Sequence, residues 1–547
     1  MKLINYKHLV PAFLIALFII NCIQGATTEL LADEAYYWAY SNFMDWGYFD
    51  HPPMVAVWIY ISKLFFSTGE ISVRFFSAIT LSVTFYLVWM LIKHPKKHEN
   101  QWIFVALTAS TALFNVYGFI TVPDTPLMFF IALFLIGYQK YLEDKSFISY
   151  LILSLSMAGM MYSKYQAVLV IFFVLLSNFK IVKDYKIWLT ALFSVLLYTP
   201  HLYWQVLHEY PSFKYHLFER KQNSSYRFSD TTTHLLNTIA IIGFTFPVVY
   251  KAIFKTLKTD NLFFKALHYI TFGFIIFFFL STFKGHAQAQ WIVAISIPLI
   301  VIPFHYLVDN PKNLKLFKIL ASITVFFVII LRFAMANDGI LPKQFEMHGN
   351  KTWALALQKK LNGNTPIFAN SYQNPSTYWF YTGERPYEYN AWNSRKNQYD
   401  LWNYNRDYVI DNGVEINYFK KDYNDSVRRR NTSFIKLKNI VTPFKEVAKT
   451  HVSLKENVII KPNTNYQVKV NVLNPYQYIN QKDIEFKVAF KQKRQKILID
   501  AKIADGILSF TTPSFKEFIP NQYQIIGKIK PMSYFVRMGD VIKIKEQ

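Results

Sequence analysis

The sequence predicts a polytopic α-helical membrane protein that carries a small α/β unit and a β-rich module at its C-terminal end. Three observations predict it. Of the 547 residues, 52% are hydrophobic, 18% aromatic and only 17% charged, which is too apolar for a disordered chain. Apolar runs such as PAFLIALFII, ITLSVTFYLVWMLI, VLVIFFVLLSNF, TFGFIIFFFLSTF and WIVAISIPLIVIPF recur through the first 336 residues, and each approaches the roughly 20 apolar residues that a helix needs to cross a bilayer. Beyond about residue 440 the pattern changes to short alternating segments broken by Asn, Pro and Gly, the signature of strands and turns.

Taken in order, crossings are expected at about 9–26, 72–92, 101–119, 126–141, 147–162, 166–179, 187–205, 235–254, 266–283, 287–307 and 316–336, about eleven in all. With the N-terminus inside, every basic island falls on one side: Lys93, Lys96 and Lys97; Lys140 and Lys145; Lys180, Lys183 and Lys186; Lys251, Lys255, Lys258 and Lys265; Lys312, Lys315 and Lys318. That is the pattern of the positive-inside rule, and it leaves the chain from about 337 onward outside. MVAVWIYISKLFF, after Pro52 and Pro53, is too short and too interrupted by Lys63 to span, so it is expected to lie in the outer interface. The first apolar run is expected to remain as an uncleaved helix, because many more follow it.

The net charge of +24 would suggest nucleic acid in a soluble protein, but in a polytopic one it belongs to cytoplasmic loops and anionic head groups, so no nucleic-acid partner is expected. The single cysteine, Cys22, lies within the first run and supports neither a disulfide framework nor a cysteine metal site. No internal repeat, phosphate-binding glycine loop or dinucleotide fingerprint is present.

Ionisable residues at span ends are costly and usually functional. On the outer side the topology places Asp33, Glu34, Asp50 and His51 in the first loop, Asp124 in the second, Lys164 in the third, His208, His216, Arg220, Lys221 and Arg227 in the fourth, and Lys284 and His286 in the fifth. Acids that deprotonate a hydroxyl beside cations that hold a phosphate fit group transfer from a phosphate-linked lipid donor. Each residue also has a plainer reading: Glu34 as a solvated acid, Asp124 as a helix cap between Pro123 and Pro126, Lys164 as a snorkelling lysine, Arg220 and Lys221 as loop charges. Lys284 and His286, beside a glycine at the mouth of a span, make a compact anion or metal contact.

ADEAYYWAYSNFMDWGYFDHPPMVAVWI resembles the first outer loop of the bacterial dolichyl-phosphate-mannose protein mannosyltransferase-like proteins, glycosyltransferase family 39, and of the related aminoarabinose transferases of lipid A. VRFFSA, VPDTPLMFF, YSKYQAVL, TPHLYWQ, KGHAQAQW and the segment FANSYQNPSTYWFYTGERPYEYNAW follow in the family's order, so that the resemblance covers roughly residues 1 to 405. It implies a C-type glycosyltransferase fold that takes a sugar from a polyprenyl-phosphate donor, by inverting displacement, to a lipid, glycan or protein acceptor on the outer face of the inner membrane. Membrane lipids are the other expected partners. The resemblance places the essential acid at Asp33 with Glu34, a second acid at Asp124, and the donor phosphate at Lys164, Arg220, Lys284 and His286. Tyr36, Asp50 and His51 are the first-loop residues on the acceptor side.

The chain departs from the aminoarabinose transferases before the paired prolines, where they have glutamate and lysine and this sequence has Asp50 and His51. That weakens aminoarabinose as the sugar and lipid A as the acceptor. The sequence requires no cofactor; a divalent metal is a further possibility, with Asp50, His51, His208 and His216 as its ligands. Three regions are expected: a transmembrane glycosyltransferase domain over 1–336, a small α/β unit over 337–410 with helix TWALALQKKL, strand PIFAN and helix NPSTYWFY, and a β-sandwich-like module over 411–547, with RRRN at 428–431 in a loop. A transporter, or a membrane protein that binds lipid-linked glycan without transferring it, is the competing class. A transporter is expected to carry its charges near the midplane in related halves.

Overall fold

The computed structural model describes residues 8–219, 226–342, 344–402, 409–417, 425–430, 433–439, 444–445, 450–455, 459–474, 479–492, 495–514 and 519–544. The chain forms two compact units, Met1–His348 and Gly349–Gln547.

The first unit is helical: α1 (Leu9–Thr27), α2 (Ala32–Tyr40), α3 (Met54–Phe65), α4 (Ile71–Leu91), α5 (Gln101–Ser110), α6 (Ala112–Val116), α7 (Asp124–Asp144), α8 (Phe147–Ser163), α9 (Val168–Ser177), α10 (Tyr185–Leu207), α11 (Pro211–Lys214), α12 (Phe228–Ala240), α13 (Phe246–Lys255), α14 (Leu262–Ser281), α15 (Pro298–Asp309) and α16 (Leu314–Ala336). Among the described residues, five helices are long and apolar enough to cross a membrane: α1, α4, α7, α14 and the stretch Pro311–Ala336 that ends in α16. Two bent pairs raise the number to as many as seven. This is a multi-pass membrane protein, and three of the runs expected to cross are broken. The run at 101–119 breaks at Thr111, whose ψ of 82° is not helical. The run at 235–254 folds back by 91° at Gly243, where φ is +56° and a Cβ would sit 2.5 Å from Thr324. The run at 287–307 is a 3-10 segment, Ala289–Ser296, followed by α15 at 41°; Pro298, at the start of α15, has no N–H to lose there.

Lipid tails are as apolar as leucine, so helix association in this unit depends on close packing. α7 and α8 approach at glycines: a Cβ on Gly137 would lie 2.9 Å from Ile152, and one on Gly159 would lie 2.3 Å from Phe130. Phe85, Phe104, Phe114, Ile131, Leu135 and Phe304 are fully buried in the core they surround, whereas Ile15, Leu196, Ile276 and Phe326 face outward. α3 buries Val55, Trp58 and Ile59 and exposes Tyr60, Leu64 and Phe65, the amphipathic form expected of MVAVWIYISKLFF.

The second unit contains α17 (Asn350–Leu361), α18 (Gln373–Thr382), α19 (Gln398–Leu401) and two main sheets. In the first, β1 (Thr365–Ala369), β2 (Tyr387–Tyr389), β4 (Gly413–Asn417), β5 (Asp425–Arg430) and β6 (Ser433–Asn439) take the order β2-β1-β4-β6-β5. β1 is parallel to both β2 and β4, and β4 is antiparallel to β6. Trp353, Leu357, Phe368, Tyr378, Ile416 and Ile435 form the core of this layer. The α/β unit therefore continues past residue 410, and the arginines of RRRN lie in β5 instead of a loop. β3 (Val409–Ile410) pairs with β7 (Phe444–Lys445).

The second sheet is built from β8 (His451–Leu454), β9 (Asn465–Leu473), β10 (Glu485–Gln492), β11 (Gln495–Ala504), β12 (Ile507–Thr511), β13 (Gln522–Lys528), β14 (Val536–Arg537) and β15 (Ile542–Lys543). The order is β14-β13-β10-β11-β12-β9-β8, with β15 on β13, and all pairings are antiparallel. Among the described residues these strands form one continuous hydrogen-bonded path whose two ends meet, the Val452 N–H of β8 donating to the Met538 carbonyl just beyond β14. The strands themselves are the alternating segments NYQVKVNVL, DIEFKVAF, ILIDAKI and YQIIGKIK.

Candidate active site

The first loop begins with α2. Leu31 holds the N-cap position, so Asp33 and Glu34 stand in the first turn, where a negative charge complements the helix dipole. Glu34 is fully buried and its two oxygens are each used twice. Oε1 accepts from Arg74 Nε at 2.8 Å and from the Thr121 N–H at 2.8 Å; Oε2 accepts from Arg74 Nη2 at 2.5 Å and from the Leu31 N–H at 3.0 Å. Arg74, also fully buried, donates in addition to the carbonyls of Gly25, Thr28 and Glu29 at 3.2, 2.5 and 3.1 Å. These are the last carbonyls of α1 and those just beyond it, which have no partner within the helix. One guanidinium thus ties the end of α1 to the start of α2, and Glu34 ties both to the Thr121 turn. Glu34 is not the solvated acid of its plainer reading. Asp33, its neighbour, is half-buried.

Three residues beyond Thr121 lies Asp124. Pro123 takes the N-cap position of α7, so Asp124 is the first helical residue and not a cap. Its carboxylate turns to Lys164, the residue that ends α8, whose Nζ lies 2.8 and 2.9 Å from the two oxygens. Both residues are less than 9% exposed, so Lys164 does not snorkel.

The rest of the first loop packs through aromatic rings. Tyr36 is buried, edge-on to Tyr40 at 4.7 Å, and Tyr40 stacks on Tyr48 at 4.0 Å. Burial, then the neighbouring phenol of Tyr36 and the charge of Asp50, push the Tyr40 phenol well above its ordinary value. Asp50 is buried, and His51 meets the edge of Tyr37 at 5.6 Å. Gly47 lets the loop reach α10: a Cβ there would stand 2.5 Å from the Trp204 ring and 2.9 Å from His201 Nδ1. α10 supplies a group that residue-by-residue reading passed over. His201, fully buried, meets the Trp46 carbonyl at 2.7 Å through Nδ1 and the Tyr165 hydroxyl at 3.0 Å through Nε2. Gln205 donates to Tyr165 at 3.2 Å and to Ser212 at 2.8 Å, and Ser212 donates to the Tyr48 carbonyl at 2.9 Å. The signal was the segment TPHLYWQ, whose histidine and glutamine stand one helical turn apart.

The four residues considered for a metal do not assemble. His216 Nε2 lies 2.8 Å from the backbone carbonyl of Asp50, His208 Nδ1 lies 2.9 Å from the Trp204 carbonyl, and the His51 and His216 rings are 6.2 Å apart. Among the described residues no group of three histidine, cysteine or acidic side chains is placed to hold an ion. Lys284 and His286 share an exposed loop. His286 reaches Asp230 at 3.5 Å, and Asp230 is held by Arg227 at 3.1 Å. Arg220 and Lys221 lie outside the described residues. The structure thus joins Glu34 to Arg74 and the Thr121 turn, joins Asp124 to Lys164, and separately brings together Arg227, Asp230 and His286.

The model of the family described as dolichyl-phosphate-mannose-protein mannosyltransferase matches residues 50–204, a stretch that holds Asp50, Arg74, Asp124, Lys164 and His201 and begins after Asp33 and Glu34. No curated protein matches the sequence. Among solved structures, ArnT from Cupriavidus metallidurans in the apo state superimposes with a TM-score of 0.55 at 12% identity, covering 72% of this chain and 87% of that one. ArnT from Cupriavidus metallidurans bound to undecaprenyl phosphate gives 0.54 at 12% identity, over 70% and 86%. At that identity the likeness is one of fold. Over residues 50–204 the chain is thus similar to the dolichyl-phosphate-mannose-protein mannosyltransferase family, and its fold is similar to that of ArnT.

Proposed function

We propose that the protein is a membrane glycosyltransferase that moves one sugar from a polyprenyl-phosphate donor to an acceptor hydroxyl on the outer face of the inner membrane. The observation that carries this reading is the buried charge around the Thr121 turn. The Glu34–Arg74 clamp ties the start of α2, where Asp33 stands half-buried, to the Thr121 turn, and the Asp124–Lys164 pair ties the start of α7, three residues further on, to the end of α8. Ionised groups are kept at such depth only when they are paired, and most often where a reaction or a pathway needs them. The family match over residues 50–204 and the fold of an ArnT crystallised with undecaprenyl phosphate support the donor class.

In this reading Asp33 takes the proton of the acceptor hydroxyl as its oxygen attacks the anomeric carbon. The bond from that carbon to the phosphate oxygen breaks with inversion, and polyprenyl phosphate leaves with the electron pair. Phosphate needs little protonation to leave; cations that hold its growing charge supply the help. Lys164 is poised for this, with Asp124 fixing its ammonium, and Arg220, Lys284 and His286 are the further cations assigned to it. Glu34 acts through position: it holds Asp33 and the Thr121 turn in register.

The test is release of polyprenyl phosphate from a panel of polyprenyl-phosphate sugars by purified protein, with and without a membrane extract as acceptor. Asp33→Asn is expected to lower turnover by about 100- to 10,000-fold, the usual range for a general base, with the melting temperature unchanged. Unchanged turnover removes Asp33 from the role.

A further inference from the structure

The helical unit holds a cation that the transfer reaction does not use. Arg332 lies on α16, one turn from its end at Ala336 and at the far end of the helix from Lys315 and Lys318. It is partly exposed, at the edge of the stripe along which Phe326, Ile329 and Phe333 face outward. Arginines within membrane helices are costly, and they pair with acids or with backbone carbonyls. Arg74 of the same unit does both. Among the described residues the Arg332 guanidinium does neither. Its Nε donates to Gln24 Oε1 at 2.6 Å and its Nη2 to Asn21 Oδ1 at 2.5 Å, both neutral amides of α1.

The two amides hold the guanidinium in place. Gln24 Nε2 donates back to the Arg332 carbonyl at 3.1 Å, so α1 and α16 are joined in both directions, and the ring of Phe119 packs 4.6 Å from Arg332 Cζ. A snorkelling side chain extends its head toward water; this one is bound back to the buried face of α1, where Asn21 and Gln24 lie. Gln24 and Asn21 occupy the edge formed by Nε and Nη2, which leaves the edge formed by Nη1 and Nη2. Nη1 meets no described acceptor and is not enclosed. In the turns that carry these residues the outward positions are apolar: Ile20 and Ile23 on α1, Ile329 and Phe333 on α16.

We propose that the seam between α1 and α16 binds the phosphate of an anionic glycerophospholipid, with Arg332 as its cation. The free guanidinium edge presents two parallel N–H groups, the geometry that matches two phosphate oxygens, and the anion supplies the charge that the amides lack. The acyl chains lie along Ile20, Ile23, Ile329 and Phe333. These four face outward from the helices, where bilayer lipids stand, which favours a glycerophospholipid over the polyprenyl phosphate of the donor. The site does not depend on the transfer reaction, so it is testable where transfer has been abolished.

The experiment is native mass spectrometry of the full chain, delipidated in detergent and titrated with phosphatidylglycerol, with phosphatidylcholine of the same acyl chains, and with undecaprenyl phosphate. The lysine islands take up phosphatidylglycerol in parent and variant alike, so the difference between them is the readout. Arg332→Gln is expected to retain one phosphatidylglycerol fewer than the parent, with retention of phosphatidylcholine unchanged, and Asp33→Asn is expected to retain as many as the parent. Gln24→Leu keeps the charge but frees the guanidinium; it is expected to weaken retention of that lipid severalfold and decides the matter if Arg332→Gln fails to fold. Phosphatidylglycerol retention indifferent to both variants, an equal loss of phosphatidylcholine, or a loss confined to undecaprenyl phosphate overturns the proposal.

Discussion

The two units differ in how deep their ion pairs lie: among the described residues the first has two buried pairs beside exposed ones such as Lys93 with Glu143, and every pair of the second has a partner at least half exposed. In Met1–His348, Glu34 with Arg74 and Asp124 with Lys164 are buried, and each carboxylate is held by more than one hydrogen bond. In Gly349–Gln547 the pairs lie on open surfaces: Lys360 with Asp425, and Lys487 with Asp500, whose carboxylate is 90% exposed. An exposed pair gains little, because water already stabilises both ions. A buried pair gains little over a well-packed apolar one, but loses heavily if one partner is removed. The two buried pairs of the first unit are therefore fixed where breaking them is costly, as a site that must hold a set geometry would be, while the second unit buries acids such as Glu415 against neutral hydroxyls, not against a cation.

The largest break of that contrast is Arg74→Met. It strands the Glu34 carboxylate and leaves the end carbonyls of α1 without their donor, so a loss of about 3–5 kcal/mol is expected, read as a large fall in melting temperature in detergent. The double variant Glu34→Gln with Arg74→Met should recover much of that stability while transfer stays low. If the single variant melts like the parent, the pair is not what holds α1, α2 and the Thr121 turn together.

Next comes packing without charge. Gly47→Ala puts a methyl 2.5 Å from the Trp204 ring, within a loop that also meets His201. Overpacking of this kind costs about 1–3 kcal/mol, and the shift should appear in the tryptophan near-ultraviolet signal as well as in the melt. Gly506 in the second unit, whose Cβ would meet only the Val470 carbonyl at 3.5 Å, is at φ +72°, so alanine there is strained by backbone conformation and not by crowding.

What the sequence made legible followed from patterns that repeat. Apolar length announced the helices, and period-two alternation announced β9, β10, β11 and β13, because each depends on local composition. The breaks at Thr111 and Gly243 were not legible, since a run of the right length and polarity reads as one span whether or not the chain folds back. The pairing order of the strands was not legible for a related reason: alternation shows that a strand has two faces, not which strand it pairs with. At the site, DEAYYW and DHPP marked the loop, but the division of labour within DE was hidden. Glu34 owes its buried, four-bonded state to Arg74, 40 positions away, and nothing near either residue signals the partner. Asp124 and Lys164 were picked out singly, as an acid and a cation, and only the structure joins them.

The smallest effect lies at the surface end of the comparison. The Asp425 carboxyl is held below the ordinary carboxylate range by a hydrogen bond from Lys360 and then by one from the Ser426 N–H, yet its side chain is 54% exposed. A carboxylate with a depressed pKa in the folded state stabilises above its unfolded pKa, and that contribution is lost as pH falls through the folded value. Lys360→Met is therefore expected to cost about 0.2–1 kcal/mol at neutral pH, seen as faster hydrogen exchange in β5 and β6, with the gap from the parent closing once pH drops below about 4. The same pair should weaken in high salt, whereas the Glu34–Arg74 pair, shielded from solvent, should not. A loss at Lys360 as large as that at Arg74, or one indifferent to both acid and salt, would mean that depth does not separate the two units' ion pairs.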